Sequence, residues 1–576
     1  MAIAVIANET GAIDELNHKR YQFLLMSSIS ALAIWLGDSE SSTSNSKCRI
    51  FESNPSIRER SSTASPARRA FGVSLRCTLS ARSIAPFQKY FSNDKTCVPI
   101  LLCARAISFA TAATSFSKPD TFADAVPLTV TMASESPQLD TRTLVIDPRD
   151  IGEITAPTWQ EGEHAWIQDW SLKLNGSKSA RHLQDAARQI RETDIPVAFP
   201  TETVYGLGAD ATRDSAVKGI FAAKRRPADN PLIVHFSSVQ QLRDILMPAS
   251  GSTVDPIPEI YRPLIAKFWP GPLTILLQLP TPSPFAPSVN ATLPTFGARI
   301  PSNPIALALI HLAGTPVAAP SANASTRPSP TSADHVVEDL KGRINTVLDG
   351  GPCAVGVEST VVDGLSVPPV VLRPGGVSLE ELRQCKGWEN TKVAYKDQAQ
   401  DEKPRAPGMK YRHYSPKASV YLYEHGEDGP PSWDTVKDWM GEQRRVGFVT
   451  TKTWGDSELF RGARTQTEDQ ASRVISSNNG IVSTPQDTAS RNPMSTLLSS
   501  LAPVPVATLV GSPIANCDVW LVELGPGNDD IARGLFSALR ELDRKGVATI
   551  FVEGIDDEDG DTAAAIMNRL RKAAIK

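Results

Sequence analysis

Between residues 180 and 385, short apolar runs alternate with segments of helical period, and that alternation restricts the chain to an α/β architecture. The runs "IPVAFP", "PLIVHF", "LTILLQL", "GARIP", "TPVAAP", "INTVLDGG", "STVVDGL" and "PVVLRPG" are too short for helices and too apolar for surface loops. Between them, "ARHLQDAARQIRE", "DSAVKGIFAAK", "YRPLIAKFW" and "PIALALIHLAG" repeat apolar residues at three- and four-residue spacing. The pattern predicts an open mixed sheet covered by helices. Residues 417–576 repeat it with "ASVYLYE", "RRVGFVTT", "DVWLVELG", "DIARGLFSALRELDRKG", "ATIFVEG" and "TAAAIMNRLRKAA", which predicts a smaller Rossmann-like α/β domain.

The rest of the chain reads differently. Residues 1–131 read as a low-order leader, a targeting segment, or an extension upstream of a working start at Met132: "YQFLLMSSISALAIWLG" (21–37) is short and interrupted by serine, and residues 57–117 are rich in Ser and Arg with Glu59 and Asp94 as their carboxylates. That composition resembles a targeting segment, so a cytoplasmic protein with a mitochondrial pool is expected, and no membrane span. Residues 132–176 are a lead-in, 177–390 the first domain, and 391–416 a linker. Within 417–576, residues 461–512 read as a disordered insertion, poor in apolar and rich in Ser, Thr, Asn and Gln residues. A net charge of −4 argues against nucleic-acid binding over the whole surface and leaves room for a local basic cleft. The seven cysteines include no C-x-x-C pair, which argues against a thiolate zinc site or a CxxC redox site.

The stretch "VAFPTETVYGLGADATRDSAVKGIFAAKRRP" (197–227) looks like a dinucleotide fingerprint, with Gly206, Gly208 and Ala211 following an apolar run. It lacks the acidic residue that should end the next strand, since Asp229 precedes that strand. More telling are Lys224, Arg225 and Arg226 at a helix end, together with polar and cationic groups at strand ends: Arg299, Ser321 and Asn323, Ser359 and Thr360, and Arg373. Cations and small hydroxyls without a serine triad or a metalloprotease motif suit a polyphosphate better than an acyl group.

In order, "FPTETVYGLGADA", "KRRPADNPLIVH", "FWPGPLT", "GARIPSNPIA", "PVAAPSANASTRPSPT", "DGG…GVESTVVD" and "VLRPGG" resemble the L-threonylcarbamoyladenylate synthases of the YrdC type, over about residues 177–380. The linker "APGMKYRHYSP" and the C-terminal block resemble the long, two-domain form of that family. The resemblance implies a YrdC-like open twisted mixed sheet and a nucleotidyl transfer that joins L-threonine, bicarbonate (or CO2) and ATP into threonylcarbamoyl-AMP and pyrophosphate. It implies Mg2+ accompanying ATP, with metal-binding residues of the chain left unknown. It also implies delivery of the product to a tRNA threonylcarbamoyl transferase complex, which modifies the adenosine beside the anticodon. Carried over by position, Lys224, Arg226, Ser321 and Asn323 form the catalytic signature. Thr203, His235, Arg299, Ala319 and Ser359 should surround L-threonine. Arg226, Asn230, Thr295, Ser321, Ser329, Arg373 and Tyr414 should contact ATP, with Tyr414 making the linker a lid. Two alternatives stay open at this point: a module that binds double-stranded RNA or tRNA, and a related carbamoyl-adenylate enzyme.

Overall fold

The computed structural model describes residues 138–155, 165–227, 230–247, 254–394, 413–426, 429–442, 444–457, 460 and 505–575. Strands run in chain order as β1 (Arg142–Val145), β2 (Gly152–Thr155), β3 (Ser171–Leu174), β4 (Val197–Phe199), β5 (Gly206–Asp210), β6 (Ile233–His235), β7 (Leu273–Gln278), β8 (Thr295–Arg299), β9 (Val317–Ala318), β10 (Thr346–Asp349), β11 (Thr360–Asp363), β12 (Val370–Arg373), β13 (Lys392–Val393), β14 (Ser419–Tyr423), β15 (Arg445–Thr450), β16 (Thr508–Val510), β17 (Asp518–Glu523) and β18 (Thr549–Glu553). The first domain holds an eleven-stranded sheet in the order β1-β10-β4-β5-β9-β6-β8-β7-β11-β12-β13, and β2 and β3 form a separate antiparallel pair. The sheet is mixed, as its sequence predicts: β6 and β8 run parallel, with His235 opposite Arg299, while β9 runs against both β5 and β6.

Helices cover the sheet because their apolar faces have nowhere else to go. The helix Lys178–Glu192 starts where the Ser177 side chain accepts the Ala180 N–H, and its Leu183, Ala187 and Ile190 pack with Ile305 and Leu309. Those two residues lie on Pro304–Ala313, a helix apolar all round and buried accordingly. Asn303 caps its N-terminus, and Gly314, at φ +65°, ends it in the left-handed conformation.

The second domain is a five-stranded sheet in the order β14-β18-β15-β17-β16, parallel except for β16 at its edge. The helix Asn528–Arg544 buries Ile531, Leu535, Phe536, Leu539 and Leu542 against it. At about 1.5–3 kcal/mol per fully buried large apolar side chain, those five contribute roughly 8–15 kcal/mol as an upper estimate. The same core takes in Val204 and Val357 of the first domain and Tyr414 from the end of the linker. Contact is intimate enough that a Cβ on Gly356 (φ +81°) would lie 2.3 Å from Arg533 Cα. Buried polar bonds reinforce the junction: Arg540 Nη2 donates to Asp339 Oδ2 at 2.7 Å, and the Thr331 and Ser537 hydroxyls meet at 2.8 Å.

Three features differ from the sequence expectation. "GLGAD" is a fully buried strand, β5, antiparallel to β4, and not a phosphate-binding turn. Its glycines serve packing: a Cβ on Gly208 would meet the Phe199 ring at 2.6 Å and Val317 at 2.7 Å. The lead-in supplies β1, which pairs in parallel with β10 and so belongs to the first domain's sheet. As an edge strand with an exposed pattern it lacks the apolar run that marks the others. Finally, residues 505–512 of the expected insertion are placed, and β16 pairs with β17; residues 461–504 lie outside the described residues.

Candidate active site

A cleft of about 590 Å³, counting its open mouth, lies over one face of the sheet at β6, β8 and β9. The loop after β4 supplies Thr201, Thr203 and Val204; β6 contributes Ile233 and His235, two residues apart and therefore on one face. Arg299 ends β8, Ala319, Pro320 and Ser321 follow β9, Glu358 and Ser359 precede β11, and Arg373 ends β12. Arg226 enters from just beyond the helix Asp214–Lys224, and His413 and Tyr414 close the cleft from the end of the linker.

Antiparallel pairing explains why loops so distant in sequence converge. Because β11 runs against β12, the start of one and the end of the other lie together, and Arg373 donates from Nε and Nη2 to the Ser359 carbonyl at 3.0 and 2.9 Å. The two loops touch so closely that a Cβ on Gly375 would lie 2.2 Å from the Glu358 carbonyl. Larger side chains at Gly375 would force Ser359 and Arg373 apart.

The cleft is cationic and largely dehydrated. Arg299 is buried; its Nη2 donates to Glu202 Oε1 at 2.6 Å and Thr203 Oγ1 at 2.9 Å, and its Nε to the Gly271 carbonyl at 3.3 Å. Its Nη1 makes no hydrogen bond among the described residues, so one arm of the fork is available to a ligand. Beside it, burial and the Arg299 charge push His235 down to about 3, so the ring is neutral at physiological pH, with Nδ1 buried and lacking a protein partner. Burial lowers Arg373 to about 10, which leaves it protonated at neutral pH. Glu358 is the counterweight. Burial raises its carboxyl, but the Arg569 and Arg373 charges and the Ser329 hydroxyl overcome that and hold it at about 2.

Most of the expected site residues meet here. Thr203, Arg226, His235, Arg299, Ala319, Ser321, Ser359, Arg373 and Tyr414 all line the cleft. Lys224 and Asn323 lie beneath it instead. Lys224 is buried, with its Nζ donating to the carbonyls of Ser321 and Asn323 (2.7 Å for Asn323) and to Asn323 Oδ1 at 3.3 Å. Its ammonium therefore shapes the Ser321–Asn323 loop. Ser329 is also one layer back, its hydroxyl donating to Glu358 Oε1 at 2.6 Å. Asn230 and Thr295 stand apart, Thr295 at the opposite end of β8, about 13 Å from Arg299 at the usual rise per strand residue. Asn230 precedes β6, the parallel neighbour of β8, and its Oδ1 is buried without a partner.

Tyr414 sits at φ +64°, stacked on Phe536 at 5.2 Å and edge-on to His413 at 4.2 Å. It both faces the cleft and anchors the linker on the second domain. Residues 401–412, which carry the rest of the expected lid, lie outside the described residues. Sequence reasoning missed Glu202, Glu358 and Arg569. Glu202 and Glu358 sit inside the quoted motifs "TET" and "VEST", where a carboxylate next to phosphate-binding groups was a readable anomaly. Arg569 gave no local signal, because its partner lies 211 residues away.

Metal-holding groups of three or more His, Cys, Asp or Glu do not occur among the described residues, and Glu202 and Glu358 are each ion-paired to arginine. Nor, among the described residues, is any helix long and apolar enough to cross a membrane.

Comparison with known proteins agrees with this geometry. The family model described as telomere recombination matches residues 189–375, and the one described as threonylcarbamoyl-AMP synthase, C-terminal domain, matches residues 377–575. The threonylcarbamoyl-AMP synthase of Schizosaccharomyces pombe is 40% identical over 459 residues, covering 76% of this chain and 98% of its own. That of Pyrococcus abyssi is 37% identical over 410 residues, covering 71% and 95%. The crystal structure of P. abyssi Sua5 complexed with L-threonine superposes with a TM-score of 0.51 at 37% identity, covering 70% of this chain and 95% of that one.

Proposed function

Because the chain belongs to the threonylcarbamoyl-AMP synthase family, we propose that this cleft joins L-threonine, bicarbonate and ATP into threonylcarbamoyl-AMP with release of pyrophosphate. The observation that carries the reading is the pairing of Arg299, with one free fork arm, and neutral His235 with its unpartnered Nδ1, in register on adjacent parallel strands. A carboxylate on Arg299 and a hydroxyl or amine on His235 describe one end of a small hydroxy amino acid. The threonine complex of the P. abyssi relative supports the same occupant. Arg226, Ser321 and Arg373 line the space proposed for the triphosphate; Asn230 and Thr295, expected to contact ATP, do not line this cleft.

The chemistry follows from charge. The neutral threonine amine adds to CO2, losing a proton to form a carbamate. A carbamate oxygen then attacks the α-phosphorus, and the bond to the pyrophosphate oxygen breaks. Two anions must meet, so fixed cations in a cleft that excludes water supply most of what the step needs. Positioning does the remainder, and no covalent nucleophile is called for. Mg2+ bound with ATP would supply charge neutralisation at the leaving pyrophosphate, while the two carboxylates described at the cleft, Glu202 and Glu358, stay paired to Arg299 and Arg569. The product, a mixed anhydride prone to hydrolysis, passes to a tRNA threonylcarbamoyl transferase complex.

Burial tells against an RNA-binding module: Arg299 and Arg373 are 4% and 5% exposed, beyond the reach of a duplex backbone. The test is pyrophosphate release from the full chain. It should require both threonine and bicarbonate; release indifferent to either would sink the proposal. A cytoplasmic location with a mitochondrial pool is tested by fusing residues 1–131 to a fluorescent reporter. Mitochondrial signal supports it, and a wholly diffuse signal refutes the mitochondrial part.

A further inference from the structure

The last helix, Asp561–Ala573, sends Arg569 into the first domain, where it is almost fully buried. Its Nε donates to Glu358 Oε2 at 3.1 Å and its Nη1 to the Pro374 carbonyl at 2.6 Å. Glu358 directly precedes Ser359, and Pro374 directly follows Arg373. One side chain of the second domain thus clamps both loops that bring Ser359 and Arg373 together. The other carboxylate oxygen of Glu358 accepts the Ser329 hydroxyl, and the Tyr414 hydroxyl bonds the same group.

Glu358 poses a problem for the proposed substrate. It lines a cleft that has to admit a triphosphate, and a lone carboxylate there repels each phosphate through a poorly screened medium. Protonation would remove the charge, but the surrounding cations keep the group ionised. A counter-ion is the remaining solution: Arg373 contributes its charge while donating hydrogen bonds to Ser359, and Arg569 makes the direct ion pair with Glu358 at 3.1 Å.

We propose that Arg569 is a positioning residue for the nucleotide: by cancelling the Glu358 charge, the second domain converts this part of the cleft into an anion site. The inference rests on the reading of the cleft as an ATP site and goes beyond it. Arg569 touches no substrate. It acts through Glu358, so the loss on removing it should be electrostatic and repairable.

Full-length variants test this, with ATP and L-threonine titrated separately by calorimetry and thermal melting as a check on folding. Arg569→Met should weaken ATP binding about tenfold or more, the scale of one uncompensated charge near bound phosphate. L-threonine, whose carboxylate is assigned to Arg299, should lose less affinity than ATP does. Adding Glu358→Gln to Arg569→Met should restore most of the ATP affinity, because the repelling charge is then gone. Glu358→Gln alone, with Arg569 kept, should hold or strengthen ATP binding. If Arg569→Met does not fold, that single variant decides: a loss of tenfold or more overturns the inference. A double variant no better than Arg569→Met overturns it too. Wild-type protein that binds no ATP overturns the ATP reading and this inference together; wild-type binding with failed repair overturns this inference alone.

Discussion

Replacing Arg299 with lysine separates charge from shape at the threonine end of the cleft. In the wild type, Nη2 is committed to Glu202 Oε1 at 2.6 Å and Thr203 Oγ1 at 2.9 Å, and Nε reaches the Gly271 carbonyl at 3.3 Å. A lysine ammonium is a single point. Placed against Glu202 it keeps the ion pair and gives up both the Gly271 bond and the arm that faces the ligand. Losing one weak internal bond costs about 1 kcal/mol of stability. Losing a charge-assisted bond to the substrate carboxylate costs about 1.5–3 kcal/mol of binding, the range for hydrogen bonds to charged groups. That is roughly a 10- to 150-fold rise in Kd for L-threonine. ATP, bound mainly by Arg226 and Arg373, should lose less than about threefold. Calorimetric titration of each ligand into Arg299→Lys measures both. Equal losses for the two ligands, or an unchanged threonine Kd, would refute the assignment of Arg299 as an amino-acid clamp.

Burial and the nearby Arg540 and Arg544 push His335 down to about 2, against about 6.5 when unfolded. The stability it contributes is complete above pH 6.5 and is lost as pH falls from there toward 2, at up to about 1.4 kcal/mol per pH unit. His335→Gln should therefore lose less Tm than the wild type between pH 7.5 and 5.5, and parallel slopes would count against this account. Asp339→Ala leaves Arg540 buried without its carboxylate and should destabilise by about 3–5 kcal/mol, read by urea denaturation; a loss under 1 kcal/mol would mean the pair does not hold the two domains together. Tyr414→Phe keeps the stack on Phe536 and removes only the hydroxyl, so Tm should stay within a few degrees, while Tyr414→Ala should cost about 3–5 kcal/mol and weaken ATP binding. Unchanged ATP affinity in Tyr414→Ala would reduce the tyrosine to a packing residue.

Legibility in the sequence followed locality. Strands buried on both faces, such as "TILLQ" in β7 and "VVLR" in β12, announce themselves as apolar runs. The residues after them carry the chemistry, so Arg299, Ser359 and Arg373 were readable together with their strands. What stayed hidden depended on partners far along the chain. The pleated, two-sided burial of "GLGAD" comes from Phe199 and Val317, so its glycines looked like a loop. β1 has an exposed pattern and gains its place only from pairing with β10. Lys224 read as a residue that neutralises phosphate and shapes the loop; its three acceptors on Ser321 and Asn323 match the second role, while its burial follows from the fold and was not legible. Glu358 was visible as a residue but not as a hub, since Arg569 and Tyr414 reach it from the second domain and the linker.

The central claim is that one cleft condenses three substrates without a covalent intermediate on the protein. Its most direct test is to incubate the full chain with ATP, Mg2+, L-threonine and 13C-labelled bicarbonate, and to look for threonylcarbamoyl-AMP by mass spectrometry. The account predicts product carrying one added mass unit in its carbamoyl carbon, absent when threonine is omitted and strongly reduced in Arg299→Lys at subsaturating threonine. Folded protein that binds ATP and L-threonine yet yields no labelled product would contradict it.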